Sequence, residues 1–130
     1  MLTPYRFISI LTLFSALTSC DPVHDLILEN STNKSVEVIY LPYLDSRQLG
    51  DKKAEKIEIH GQEMNKIILD SAETINIGTV TAMYTPSPHD IDLDYLEIRC
   101  GQDTIRLTGK NAILTTIQKV EKLDWRLIIK

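Results

Sequence analysis

A chain of 130 residues has room for one domain with a single core, and not for two. Its 14 basic and 18 acidic side chains give a formal charge of −4 with no basic block. That excludes the concentrated Lys/Arg face on which nucleic-acid binding depends. The densest basic spot, Lys52-Lys53 with Lys56, reads as a solvated loop.

Residues 1 to 20 carry one charge, Arg6, followed by an apolar stretch from Phe7 to Leu17. A helix needs ~20 apolar residues to cross a bilayer, and this stretch is well short of that. A positive start, a short apolar middle and a small-residue end are the parts of a secretory signal. Leu17-Thr18-Ser19-Cys20 resembles the lipobox of bacterial lipoproteins, an aliphatic residue and two small residues before a cysteine. The resemblance implies that the Cys20 thiol is joined to diacylglycerol and that a signal peptidase cuts between Ser19 and Cys20. In many Gram-negative bacteria the freed amine is then acylated, typically with palmitate. One acyl chain binds membranes only marginally and each buried CH₂ adds ~0.8 kcal/mol, so two or three chains make a durable anchor. The competing readings are an ordinary secretory signal with a coincidental cysteine, and an N-terminal core element.

The expected organisation is a signal peptide over 1–19, the lipidated cysteine and a short tether over 20–24, and one β-rich domain over 25–130. At ~3.6 Å per residue the tether reaches roughly 15 Å, which keeps the domain near the lipid headgroups. Lipidation uses one of the two cysteines and leaves Cys100 without an internal partner. Cys100 then reads as a small buried hydrophobe rather than a reactive thiol.

Strand signals recur from Asp25. Leu26 and Leu28 lead into the turn-forming cluster Asn30–Ser35, and Val36, Val38 and Tyr40 alternate beyond it until Pro42. Residues 43 to 55 read as a polar loop. Ile57 and Ile59 alternate as a half-buried strand closed by Gly61. Residues 66–69 and 74–77 flank Asp70-Ser71-Ala72-Glu73 as a hairpin, with its second arm extending toward Tyr84. Apolar residues are odd-numbered from Ile91 to Tyr95 and even-numbered from Leu96 to Cys100. Side chains alternate with period two, so this shift predicts a bulge or break near Asp94–Leu96. Beyond it Cys100 should face the core beside Leu96 and Ile98, with Glu97 and Arg99 toward water. Ile105 and Leu107 should point inward from the next strand. Residues 111–123 fit a short helix capped by Asn111, with Lys119 and Lys122 near its end, against a β-branched run that favours a strand. Trp125, Leu127 and Ile129 alternate last. About eight short strands without βα repeats predict a mainly β fold, a small antiparallel β-sandwich with an immunoglobulin-like form preferred.

Asp90, Asp92 and Asp94 form the best constellation for chemistry, because alternate carboxylates could converge on Ca²⁺. The EF-hand comparison fails, since Tyr95 stands where the loop needs glycine and Gly101 where it needs glutamate. Against the metal reading stands a solvated strand edge. His24, His60 and His89 are scattered, and no nucleophile motif or phosphate loop is present. Glu58, Glu63, Glu73 and Glu97 could pair as acid and base. Asp70-Ser71-Ala72 and Asp103-Thr104-Ile105 resemble the short acceptor sites that some Gram-negative bacteria O-glycosylate, at Ser71 and Thr104. Asn30-Ser31-Thr32 has the form of an N-glycosylation acceptor. Tyr40, Tyr43, Tyr84, Tyr95 and Trp125 could line a carbohydrate surface or simply pack.

The expected function is that of a cell-envelope lipoprotein, lipid-anchored to the inner or outer membrane, whose noncatalytic domain binds a protein or glycan and needs no cofactor. The alternatives are a small envelope hydrolase or Ca²⁺-dependent enzyme using acidic residues, and a purely structural spacer.

Overall fold

The computed structural model describes residues 23–81 and 84–130. The signal segment, the processing pair Ser19 and Cys20, and the tether as far as Pro22 lie outside the described residues.

Two sheets face each other as a sandwich. The first runs in the order β5 (Thr74–Thr81), β1 (Val23–Asn30), β9 (Asp124–Ile129), β8 (Gln118–Glu121). The second runs β3 (Glu55–Ile59), β4 (Gln62–Leu69), β2 (Val36–Leu41), β6 (Tyr95–Cys100), β7 (Asp103–Thr108). The expected sandwich is present, but its strand order is not the A-B-E-D and C-F-G of immunoglobulin constant domains. All pairings are antiparallel except that of β1 with β9, where Leu26 to Asn30 run parallel to Trp125 to Ile129.

Alternation explains the core. Leu26 and Leu28 of β1, Val36, Val38 and Tyr40 of β2, and Ile67 and Leu69 of β4 all point between the sheets. Leu96 and Ile98 of β6 join Ile75, Ile77, Leu127 and Ile129 from the facing sheet. Burying each such aliphatic side chain contributes ~1.5–3 kcal/mol. Cys100 and Leu107 are half-buried and pack against this cluster, as their alternation indicates, whereas Ile105, expected inward, is 51% exposed because β7 is an edge strand.

The register also defines two ends. At one lie Val23 with its partner Thr81, Leu41 with Tyr95, the turn His60-Gly61 and the β8–β9 turn. At the far end lie Asn30, the Val36–Leu69 pair and the turns at Ser71 and Gly101. Asn30, fully buried there, ties β1 to β4 and to the turn that follows β1. Its amide donates to Lys34 O at 2.7 Å and Leu69 O at 2.9 Å, and its oxygen accepts from Thr32. An amide spent in this way is a structural fastener, so Asn30 is no glycan acceptor.

Several elements depart from the alternation pattern. β1 begins at Val23, two residues before Asp25, so His24 belongs to the strand. The loop after β2 holds a one-turn helix, α1 (Ser46–Leu49), closed by a capping box between Asp45 and Gln48. The predicted break before β6 is present. Ile91 and Leu93 are fully buried in an irregular segment following a 3-10 turn (Pro88–Asp90), and the strand starts only at Tyr95. The ambiguous stretch is both things at once: helix α2 (Lys110–Thr116), then strand β8, parted at Ile117. Gly109 caps α2 rather than Asn111, and Lys119 and Lys122 belong to β8 and its turn. Ile113, fully buried, plugs the Val23 end of the sandwich.

Candidate functional site

The outer face of the five-stranded sheet is not the ordinary solvated face that its charges suggest. Ile39 is fully buried there, Met64 is 7% exposed, and Glu97 is 1% exposed. Ile39 pairs with Glu97 on one side and Lys66 on the other, so β2, β4 and β6 all contribute. The expectation that Glu97 faces water is corrected in one respect. It points away from the core, but Tyr95, Arg99 and Arg106 close over it.

The closure follows from strand geometry. Arg106 of β7 stands directly opposite Glu97, while Tyr95 and Arg99 flank it at i−2 and i+2 on the same face. Glu97 Oε1 accepts from Arg106 Nε at 2.5 Å and from Tyr95 Oη at 3.0 Å. Oε2 accepts from Arg99 Nε at 2.8 Å. Charges continue outward through Glu37, 3.9 Å from Arg99, then Lys66 at 3.8 Å and Glu55 at 3.4 Å. Burial alone would lift the Glu97 carboxyl, but donation from Arg106, Tyr95 and Arg99 holds it below the ordinary carboxylate value. A carboxylate so held accepts a proton poorly at neutral pH and has none to give.

Beside this network the sheet is hollowed. A depression of about 460 Å³ is lined by Ile59, His60, Gln62, Met64, Tyr95 and the charged cluster. Its lining mixes the apolar side chains of Ile59 and Met64 with the hydrogen-bonding groups of Tyr95, Glu97 and the two arginines. Arg106 spends its Nε on Glu97, yet its side chain is 64% exposed, so other guanidinium N–H groups reach solvent.

The other candidate residues are dispersed. Asp90 accepts from Ser87 N and Oγ, closing the 3-10 turn, and Asp92 accepts from Gln48 Nε2 at 2.8 Å. Asp94 is held through its backbone, with N donating to Leu41 O. Among the described residues no group of three His, Cys, Asp or Glu side chains is placed to hold a metal ion. The three aspartates have separate partners and do not converge. A second depression of about 400 Å³, beside β5, brings Asp92 near Asp25 and Asp45, but Asp45 is spent capping α1. Glu58 and Glu63 face each other on β3 and β4, both exposed and lining neither of these depressions. Glu73 pairs with Lys52. His24 sits in β1, His60 lines the Glu97 depression, and His89 is exposed in the 3-10 turn. Ser71 and Thr104 are both exposed, both toward the far end, and Ser71 Oγ donates to Thr32 O at 2.6 Å. Of the aromatics, Tyr40 is core, Tyr95 belongs to the Glu97 cluster, and Trp125 lies under Lys119.

Sequence reasoning placed Glu97 among four candidate carboxylates but missed its burial, because alternation assigns only a face. Whether that face is wet depends on Arg106 and Met64, which arrive from other strands. The Asp45 cap did have a signal, Asp-x-x-Gln, inside a segment read as loop.

Fold and face together define a two-sheet β-sandwich with a hollowed, charge-laced outer sheet. Comparison with family models, with characterised proteins and with solved structures finds no match. Among the described residues no helix is long and apolar enough to cross a membrane.

Proposed function

We propose that this chain is a lipid-anchored cell-envelope protein, cut before Cys20 and acylated there, whose sandwich is a noncatalytic interaction domain. The observation that carries the reading is the junction between lipobox and fold. The lipobox ends at Cys20, β1 begins at Val23, and the first residue of the described core is Leu26. Cleavage before Cys20 therefore leaves every described core residue in place. The outer face of the five-stranded sheet is the surface we assign to a protein or glycan partner. Its one buried carboxylate is locked by three donors, which suits recognition better than proton transfer.

Intact-mass measurement on protein extracted from membranes tests the address. The expected mass is that of a chain beginning at Cys20 plus diacylglycerol, with or without a further acyl group. Cys20→Ala should accumulate uncut. Processing and membrane fractionation identical to the parent would overturn the reading.

A further inference from the structure

Exposed apolar surface on this sandwich is not evenly spread. Among the described residues the three most exposed large hydrophobic side chains are Tyr84 at 68%, Tyr43 at 66% and Val23 at 62%. Ile105, Val120 and Ile68 follow at 51% or less. The register places the leading three at one end. Val23 opens β1 and pairs with Thr81, Tyr84 N donates to Thr81 O, and Tyr43 follows the end of β2, where Leu41 meets Tyr95. Beside them opens an apolar hollow of about 240 Å³ lined by Thr85, Pro86, Leu114, Ile117 and Trp125. Lys119 Nζ sits 5.8 Å from the Trp125 ring, and Lys122 is exposed in the adjacent β8–β9 turn.

The chain between this end and the anchor is very short. Only Asp21 and Pro22 separate Cys20 from Val23, so at ~3.6 Å per residue the span is at most about 11 Å. The polar layer of one leaflet is itself about 5–7 Å deep. An acylated Cys20 thus cannot hold Val23 clear of the headgroups by more than a few ångströms. Tyrosine is the residue type that settles at that depth, its ring toward the acyl region and its hydroxyl toward water, and lysines beside it meet lipid phosphates.

We infer that the Val23 end of the sandwich rests on the bilayer, with Val23, Tyr43 and Tyr84 set into the headgroup layer. The far end, with Ser71 and Gly101-Gln102, is then presented outward. This rests on the acylation of Cys20 proposed above.

The test uses the acylated protein in vesicles of phosphatidylethanolamine and phosphatidylglycerol whose acyl chains are brominated near the carbonyl. In a Trp125→Phe background, Tyr84→Trp places a fluorescent probe at the Val23 end, and Gln102→Trp places one at the far end. Bromine should quench the probe at 84 at least about twofold more than the probe at 102, because an interfacial side chain sits about 5–10 Å into that boundary. The unsubstituted protein carries a single tryptophan, Trp125, at this same end, so it gives a parallel reading without any substitution. Equal quenching at both ends, in protein whose mass shows acyl chains on Cys20, overturns the inference and leaves the anchor standing. A mass without acyl chains overturns both.

Discussion

Two side chains show how burial changes what a polar group contributes. Glu97 is nearly inaccessible and accepts three hydrogen bonds from Tyr95, Arg99 and Arg106. Glu97→Gln swaps the ionised acceptor for a neutral amide and leaves donors poorly matched. The two arginines are partly exposed and regain water, which limits the loss, so about 1–3 kcal/mol at neutral pH is expected. The acid dependence has a definite sign. The folded carboxyl lies below its ordinary value, so its stabilising effect is complete above that value and disappears as pH falls through the folded one. Urea midpoints of parent and Glu97→Gln should differ most near neutral pH and converge in acid; a constant gap would show that the carboxylate's charge is irrelevant. Tyr40 is the opposite case. Its ring is fully buried, its hydroxyl finds no partner among the described residues, and burial, with Tyr43 nearby, pushes its pKa up to about 12. Tyr40→Phe discards an unsatisfied group and keeps the ring. Its unfolding free energy should hold or rise by up to about 1 kcal/mol, and a loss of more than that would reveal a partner for the hydroxyl.

Among the elements, Gly78 sets the tightest constraint. A Cβ built there would lie 2.0 Å from the backbone oxygen of Asp90. The obstacle is main chain, not a side chain that can rotate away. Gly78 bridges Ile91, and Asp92 N donates to Ile77 O at 2.9 Å, so this approach pins the segment that buries Ile91 and Leu93. Gly78→Ala must push the segment outward, at a cost of about 3 kcal/mol or more once strain and re-exposed isoleucine and leucine are combined. Faster proteolysis between residues 84 and 94 should accompany the lower urea midpoint. None of this is visible in the chain as text, where Gly78 looks like an ordinary weak spot in a strand. What was legible was whatever depends on period two: the inward residues of β1, β2, β6 and β9, and the break before Tyr95. Alternation could not report that Ile113 plugs one end while Lys119 and Lys122 lie beyond a helix already finished at Thr116. Nor could it report that Glu97 is roofed over. Those outcomes depend on strands brought together from distant positions, and the candidate site is made of little else. Asp90, Asp92 and Asp94, neighbours in the chain, end with separate partners for the same reason.

The molecule closes on itself by setting its first described strand beside its last. β9 lies between β1 and β8, parallel to β1, and supplies Leu127 and Ile129 to the core. Parallel neighbours so far apart in sequence cannot pair until almost the whole chain is present, and closing that loop carries a large entropic cost. Without β9, β1 would keep β5 but lose its other partner, and β8 would have no neighbour at all. Leu26 and Leu28 would lie along a bare edge, and two buried side chains worth ~1.5–3 kcal/mol each would be missing. A domain of this size has ~5–15 kcal/mol of net stability, so the combined loss of core contacts, ladder hydrogen bonds and strand cover should exceed it. A chain stopped after Leu123 is therefore expected to be unfolded rather than weakened. Its amide exchange should be fast throughout, including in the five-stranded sheet that the deletion does not touch. Retained slow exchange in β2, β4 and β6 of the shortened chain would show that the second sheet stands alone, and that the two layers do not form one cooperative unit.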